Sequence, residues 1–132
     1  MSKRQAVNPW GEAFKGLTFA PAVRRGNMLF ISGTDATMLD ENGRRVIRGG
    51  FVEQYRTIFE KLKMILDAAG ATFDDIVWTC EYITTKEGYK ATAQVRREIF
   101  GDNFPASTGI VVKDLLSRDA LIEMDAVAIL DK

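Results

Sequence analysis

The sequence contains no histidine. Ser-His-Asp triads, Cys-His dyads and histidine-ligated zinc are therefore excluded within the chain. Proton transfer falls to Asp, Glu, Tyr, Lys, Cys or bound water. Cysteine is nearly absent as well. Cys80 stands alone, which excludes an intrachain disulfide and fits a reducing compartment. With no histidine beside it, it reads as an inert buried thiol. No apolar stretch approaches the ~20 residues of a membrane span. Met1-Ser2-Lys3-Arg4-Gln5 leads into no signal-peptide core. These absences predict a cytoplasmic protein. An excess of one charge is also missing, since 18 Lys plus Arg balance 18 Asp plus Glu. Nucleic acid is therefore not an expected partner. No spacing of Asp and Glu points to a metal site, and none is expected.

What is present describes one domain over residues 1–132, with residues 1–15 irregular apart from short extended pieces. Met28-Leu29-Phe30-Ile31-Ser32 is an apolar run bounded by Gly26 and Gly33, the pattern of a buried strand. Asn42-Gly43 marks a turn. From Gly50 the period changes. Val52, Tyr55, Ile58, Phe59, Leu62, Ile65, Leu66 and Ala69 fall three or four apart, which predicts an amphipathic helix stopped by Gly70. Residues 76–83 are rich in β-branched and aromatic side chains and predict a strand. Thr84 or Thr85 caps a second helix running to Gly101. Residues 109–112 and 121–130 predict two more strands. In the last, Glu123 and Asp125 alternate against Ile122, Met124 and Ala126. The order predicts an α+β fold, a mixed sheet with two helices on one face. The other face then needs a cover, and self-association is the simplest one.

Several segments resemble the Rid/YjgF family in order and spacing. Gly26-Asn27-Met28-Leu29-Phe30-Ile31-Ser32-Gly33 resembles its strand ending in Ser-Gly. Gln54-Tyr55-Arg56 through Ala68-Ala69-Gly70 resembles its first helix. Asp75-Ile76-Val77 through Tyr82-Ile83-Thr84 resembles its next strand. Phe104-Pro105-Ala106 precedes the place of its Arg-Ser-Cys motif. Ile122-Glu123-Met124-Asp125-Ala126-Val127-Ala128 resembles its closing strand. The resemblance spans about residues 15 to 130. It implies a chorismate-mutase-like homotrimer with clefts between subunits. It also implies cofactor-free hydrolysis of enamines or imines to carbonyl compounds and ammonia. By the same resemblance Glu123 positions the attacking water and Ser32-Gly33 forms the assisting turn. The family's upstream Tyr corresponds to Phe19. The Arg-Ser-Cys motif reads Ser107-Thr108-Gly109, without its Arg and its Cys. An arginine fork holds a carboxylate bidentately and a serine hydroxyl does not, so a different substrate is expected.

Each candidate has a plainer alternative. Glu123, inside an apolar strand, is a proton-exchanging carboxylate or the partner of an interface arginine. Glu81, a second carboxylate inside a strand, is a secondary acid/base or an ion-pair partner. Ser107 and Thr108 donate to a substrate oxygen or satisfy nearby backbone. Gly109 enlarges the cleft or marks a bulge. Arg24 or Arg25 supplies the missing cation, or is solvated surface. Arg96 and Arg97 read as surface or interface residues. Tyr89 and Phe19 line an aromatic pocket, joined by Trp78 unless that ring is core.

The function expected is hydrolytic deamination of a small metabolite, such as an amino-muconate-type intermediate in catabolism. Two alternatives stand beside it. One is a trimer that binds small metabolites without turnover. The other is ribonuclease-like activity.

Overall fold

The computed structural model describes residues 3–131. Six strands form one sheet in the order β1 (Gln5–Val7), β2 (Ala22–Arg25), β3 (Met28–Thr34), β8 (Ile122–Ile129), β6 (Ile76–Ile83), β7 (Ala106–Val111). All neighbours are antiparallel except β6 and β7, which are parallel. A two-stranded ribbon, β4 (Met38–Leu39) with β5 (Arg45–Val46), turns at Asn42-Gly43. Two helices, α1 (Phe51–Ala69) and α2 (Thr92–Phe100), cover one sheet face. This is the expected α+β architecture.

α1 forms where the apolar residues repeat at helical spacing. Tyr55, Ile58, Phe59, Leu62, Ile65 and Leu66 are buried against the sheet. Full burial of each contributes roughly 1.5–3 kcal/mol before entropy is counted. Glu53 Oε1 accepts the Gly50 N–H at 2.9 Å and caps the start. Gly70, at φ 75°, ends the helix in the left-handed conformation that glycine adopts without strain.

α2 starts later than the threonines predict. Thr85 Oγ1 accepts the Glu87 N–H at 3.1 Å, so it closes a local turn instead of capping a helix. Gly88 then takes φ 84°, which interrupts any helix, and a short 3-10 turn over Tyr89–Ala91 precedes α2. Near the N-terminus, the extended piece is β1, which gains order by pairing with β2. A 3-10 turn at Gly11–Phe14 follows it. Met1 and Ser2 lie outside the described residues.

The sheet has two unlike faces. Along β8, Ile122, Met124, Ala126 and Ala128 are buried beneath the helices, while Glu123, Asp125 and Val127 point the other way and are half-buried. That second face also carries Phe30, Trp78 and Ile110 at 46%, 36% and 43% exposure. Trp78 is therefore surface and not core. β7 is exposed along its whole length.

Candidate functional site

Glu123 stands near the start of β8, paired across the sheet with Tyr82 of β6. Its other neighbour, β3, is irregular at this level. Ile31 pairs with Ala126 but Thr34 pairs with Met124, so β3 spends one extra residue between these pairs. The bulge falls at Ser32-Gly33. Bulges re-aim side chains and open pairing locally. Here the opening receives the Glu123 carboxylate. A Cβ built on Gly33 would stand 2.2 Å from Glu123 Oε2 and 3.1 Å from Cδ, so only glycine leaves this space. The backbone of the Ser-Gly turn and the carboxylate thus form one unit.

Burial is the main cause that raises the Glu123 pKa above the ordinary carboxylate value, and the charges of Asp35 and Asp125 add to it. Asp35 moves the other way. Burial opposes its ionisation, but hydrogen bonds from Ser117 and Thr37 and the Lys61 charge outweigh that cost and lower its pKa. Two carboxylates in one site are thereby separated in proton affinity, with Glu123 the better proton acceptor. Asp125 Oδ2 accepts the Tyr82 hydroxyl at 2.8 Å, while its Oδ1 is buried without a partner among the described residues.

Glu123 lies where two depressions meet. The smaller, about 280 Å³, is lined by Tyr82, Asp114, Leu116 and Asp125 together with Gly33. The larger, about 930 Å³, lies between the 3-10 turn near Trp10, the β4–β5 ribbon and the segment Leu116–Asp119. Phe19 and Ser32 line this larger cavity with Gly33 and Glu123. Ser32 does not aim its hydroxyl at a ligand. Its Oγ donates to Ala20 O at 2.6 Å and its N–H to Pro21 O at 3.0 Å, which fixes the loop carrying Phe19. Gln54 of α1 fixes the opposite wall. Its Nε2 donates to Asp119 O at 3.1 Å and its Oε1 accepts the Leu121 N–H at 2.9 Å.

Glu81 is not part of this site. Strand alternation puts it beneath the helices, on the face opposite Glu123, with its side chain fully buried. It accepts the hydroxyls of Tyr55 and, at 2.7 Å, of Tyr89, and pairs with Arg96 Nη1 at 2.8 Å. Burial, then the hydrogen bond to Glu81, pushes the Tyr89 pKa up to about 12. Glu81 is thus the ion-pair partner and not a second acid/base. Arg96 is correspondingly an internal cation, stacked 5.3 Å from the Phe100 ring centroid, and not a surface residue. Tyr89 belongs to this cluster, so no aromatic pocket joins it to Phe19. Phe19 instead contacts Phe14 edge-on, and Phe14 stacks on Trp10.

Ser107, Thr108 and Gly109 lie on β7 and do not line the Glu123 cavities within one chain. Ser107 Oγ is 3.1 Å from Thr79 Oγ1, a hydroxyl pair on the helix side of the sheet. Gly109 marks no bulge, because the β6–β7 register is unbroken. Its Cβ would meet the Tyr89 hydroxyl at 3.2 Å, so Tyr89 uses that space. Arg24 donates to Gly26 O and to Ala69 O at the end of α1. Neither Arg24 nor Arg25 lines either cavity. The cations that do are Arg45, Lys61 and Arg118. Arg45 and Arg118 sit outside the segments that resemble the family, Lys61 lies inside the first-helix segment without any mark of a site, and no spacing in the sequence links any of them to Glu123. Among the described residues no cluster of three or more Cys, Asp or Glu is arranged to hold a metal ion, and no helix is long and apolar enough to cross a membrane.

Known proteins resemble this chain in sequence and in fold. The Endoribonuclease L-PSP family profile matches residues 13–130. The 3-aminoacrylate deaminase RutC of Acinetobacter baylyi is 34% identical over 125 residues, covering 95% of this chain and 97% of the relative. A RutC family protein of Pyrococcus horikoshii is 31% identical over 110 residues, covering 83% and 85%. Among solved structures, protein YJGH superposes with a TM-score of 0.84 at 30% identity, over 99% of each chain. A Mycobacterium tuberculosis member of the YjgF/YER057c/UK114 family gives 0.76 at 25% identity, over 97% of this chain and all of the other. With most of the chain matched in sequence and in fold, and the Ser-Gly turn and the β8 glutamate locked together as one site, the protein belongs to the Rid/YjgF family.

Proposed function

We propose that the protein is a cofactor-free hydrolase that deaminates an enamine or imine of a small metabolite. The observation that carries this reading is the Glu123 carboxylate, half-buried at the meeting of two cavities, seated against Gly33 and raised in proton affinity. Such a group exchanges protons with water and with an imine nitrogen nearer neutrality than an ordinary carboxylate does. An enamine first takes a proton from solvent on carbon and becomes the protonated imine. Glu123 then removes a proton from water as the water oxygen bonds to the imine carbon and the C=N electron pair moves to nitrogen. Glu123 returns that proton to nitrogen, the C–N bond breaks with its electron pair leaving on ammonia, and the hydroxyl gives up its proton as the carbonyl forms. The name of the Acinetobacter baylyi relative, 3-aminoacrylate deaminase, supports this chemical class.

The working unit is a homotrimer with its clefts between subunits. The apolar open sheet face and the fully exposed β7 support it. In that assembly Ser107 and Thr108 reach the cleft from a neighbouring copy. Ammonia release from a panel of small enamines and imines, 3-aminoacrylate included, tests the reaction. Full activity in Glu123→Ala would remove the role assigned to Glu123.

A trimer that binds metabolites without turnover is the second reading, favoured by serine at position 107 where the family has arginine. It predicts thermal shifts with carboxylate ligands but no ammonia.

A further inference from the structure

We propose that Gln54 is a positioning residue of the Glu123 site, acting from α1 through the turn Ser117–Ala120. This inference rests on the deaminase reading for what Glu123 does, and adds what holds Glu123 in place.

The turn closes with the Ala120 N–H donating to Ser117 O at 3.2 Å. Its third residue, Asp119, has φ 69° and is the only non-glycine residue with positive φ among the described residues. A residue with a Cβ pays for that conformation and keeps it where its surroundings enforce it. Gln54 is the enforcing group. It is 2% exposed, a buried amide among the hydrophobic residues of α1. Its Nε2 donates to Asp119 O and to Gly49 O, each at 3.1 Å, and its Oε1 accepts the Leu121 N–H at 2.9 Å. Both amide hydrogens are thereby used, and the backbone is gripped on either side of Ala120. Neither the amide nor these backbone groups can be left unpaired in the interior without a cost, so turn and amide hold each other.

Two paths lead from this clamp to Glu123. One runs along the chain. Leu121 is tied twice, its N–H to Gln54 and its C=O to the Thr84 N–H at 3.1 Å, and Glu123 follows two residues later on β8. The other crosses space. Leu116–Asp119 wall the larger depression beside Glu123, and the Ser117 hydroxyl bonds Asp35, two residues beyond Gly33. Displacing the turn therefore admits water to a carboxylate whose raised pKa comes mainly from burial. Arg118 and Asp119 carry opposite charges, so their displacement alters solvent access more than net charge. The other charged or titratable groups around Glu123 (Asp35, Arg45, Lys61, Tyr82, Asp114 and Asp125) lie outside the turn. Loosening the clamp should thus return Glu123 toward an ordinary carboxylate.

Carbon-13 NMR titration of the Glu123 carboxyl tests this without requiring turnover, its signal identified by loss in Glu123→Gln. Ammonia release from the same panel of enamines and imines is followed in parallel. Gln54→Met keeps the side-chain volume and removes the amide. It is expected to carry the Glu123 midpoint below that of the parent, toward the ordinary 4.5. It should also lower kcat about tenfold while KM changes less than about twofold, as loss of placement does. In the Asp119→Gly background the same substitution should do much less, because glycine holds φ 69° unaided. Should Gln54→Met not fold, Asp119→Val and Asp119→Gly decide the matter. At this exposed position both remove the same charge, but a β-branched residue does not settle at positive φ. The Glu123 midpoint should then be lower in Asp119→Val. A Gln54→Met protein that loses thermal stability alone, with Glu123 titration and kcat unmoved, overturns the inference, and so does equal titration in the two Asp119 variants. A shifted Glu123 titration with no ammonia release even from the parent overturns the deaminase reading and leaves the clamp. Ammonia release indifferent to Gln54 does the reverse.

Discussion

The carboxylate of Glu123 occupies the space in which Gly33 would carry a side chain, with 2.2 Å between Oε2 and an ideal Cβ. Gly33→Ala therefore tests carboxylate placement separately from fold. The obstructed group is the far end of a flexible side chain, so it is the carboxylate that moves and not the sheet. A displacement near 1 Å commonly costs about a hundredfold in rate. We expect that loss in kcat, with a thermal midpoint close to that of the parent protein. A variant that keeps full activity would show that the Ser-Gly turn does not set the carboxylate.

The pH dependence follows from the direction of the Glu123 shift. The base form is needed to activate water, so the rate should rise with pH through a pKa above 4.5, the ordinary value for this group. Stability runs oppositely. A pKa raised in the folded state contributes stability that is full below the unfolded value and is lost as pH rises through the folded one. Glu123→Gln should accordingly raise the thermal midpoint at neutral pH and leave it unchanged near pH 3. Scanning calorimetry at both pH values decides it.

Glu81 should behave as structure. Removing its carboxylate strands Arg96 and two tyrosine hydroxyls beneath the helices. Breaking a buried pair from one side costs about 3–5 kcal/mol. Urea unfolding of Glu81→Ala should show a loss of that order, whereas Glu123→Ala should show none comparable. A Glu81→Ala protein as stable as the parent would contradict the buried-pair account.

The open sheet face predicts assembly. Phe30, 46% exposed in one chain, pairs across strands with Val127 at the centre of that face. Phe30→Asp places a charge in any interface there but in water on a single chain. Sedimentation velocity is expected to give trimers for the parent and single chains for the variant. Single chains for both would overturn assembly through this face.

Much of this was legible in the sequence because it rests on period. The helical spacing from Val52 to Ala69 and the alternation around Glu123 each report a face, and faces determine how the layers stack. The family resemblance located Glu123 and Ser32-Gly33, but not how they fit, because a bulge is a matter of register between strands. Arg118 was not legible for a similar reason. Its position depends on Gln54, more than sixty residues earlier, holding the loop end. Thr85 misled because a threonine before a polar segment caps a turn as readily as a helix. Glu81 and Arg96 carried no mark of partnership, since a strand and a helix each place one of them and only packing joins the two.

The contact between Gly109 and Tyr89 has a consequence for how such chains diverge. A Cβ at position 109 would stand 3.2 Å from the Tyr89 hydroxyl, so that ring would have to give by a few tenths of an ångström against its 2.7 Å bond to Glu81. Restoring a side chain at this position thus sets the strand against the tyrosine–glutamate–arginine cluster packed beneath it. The strand and the cluster are therefore expected to vary together.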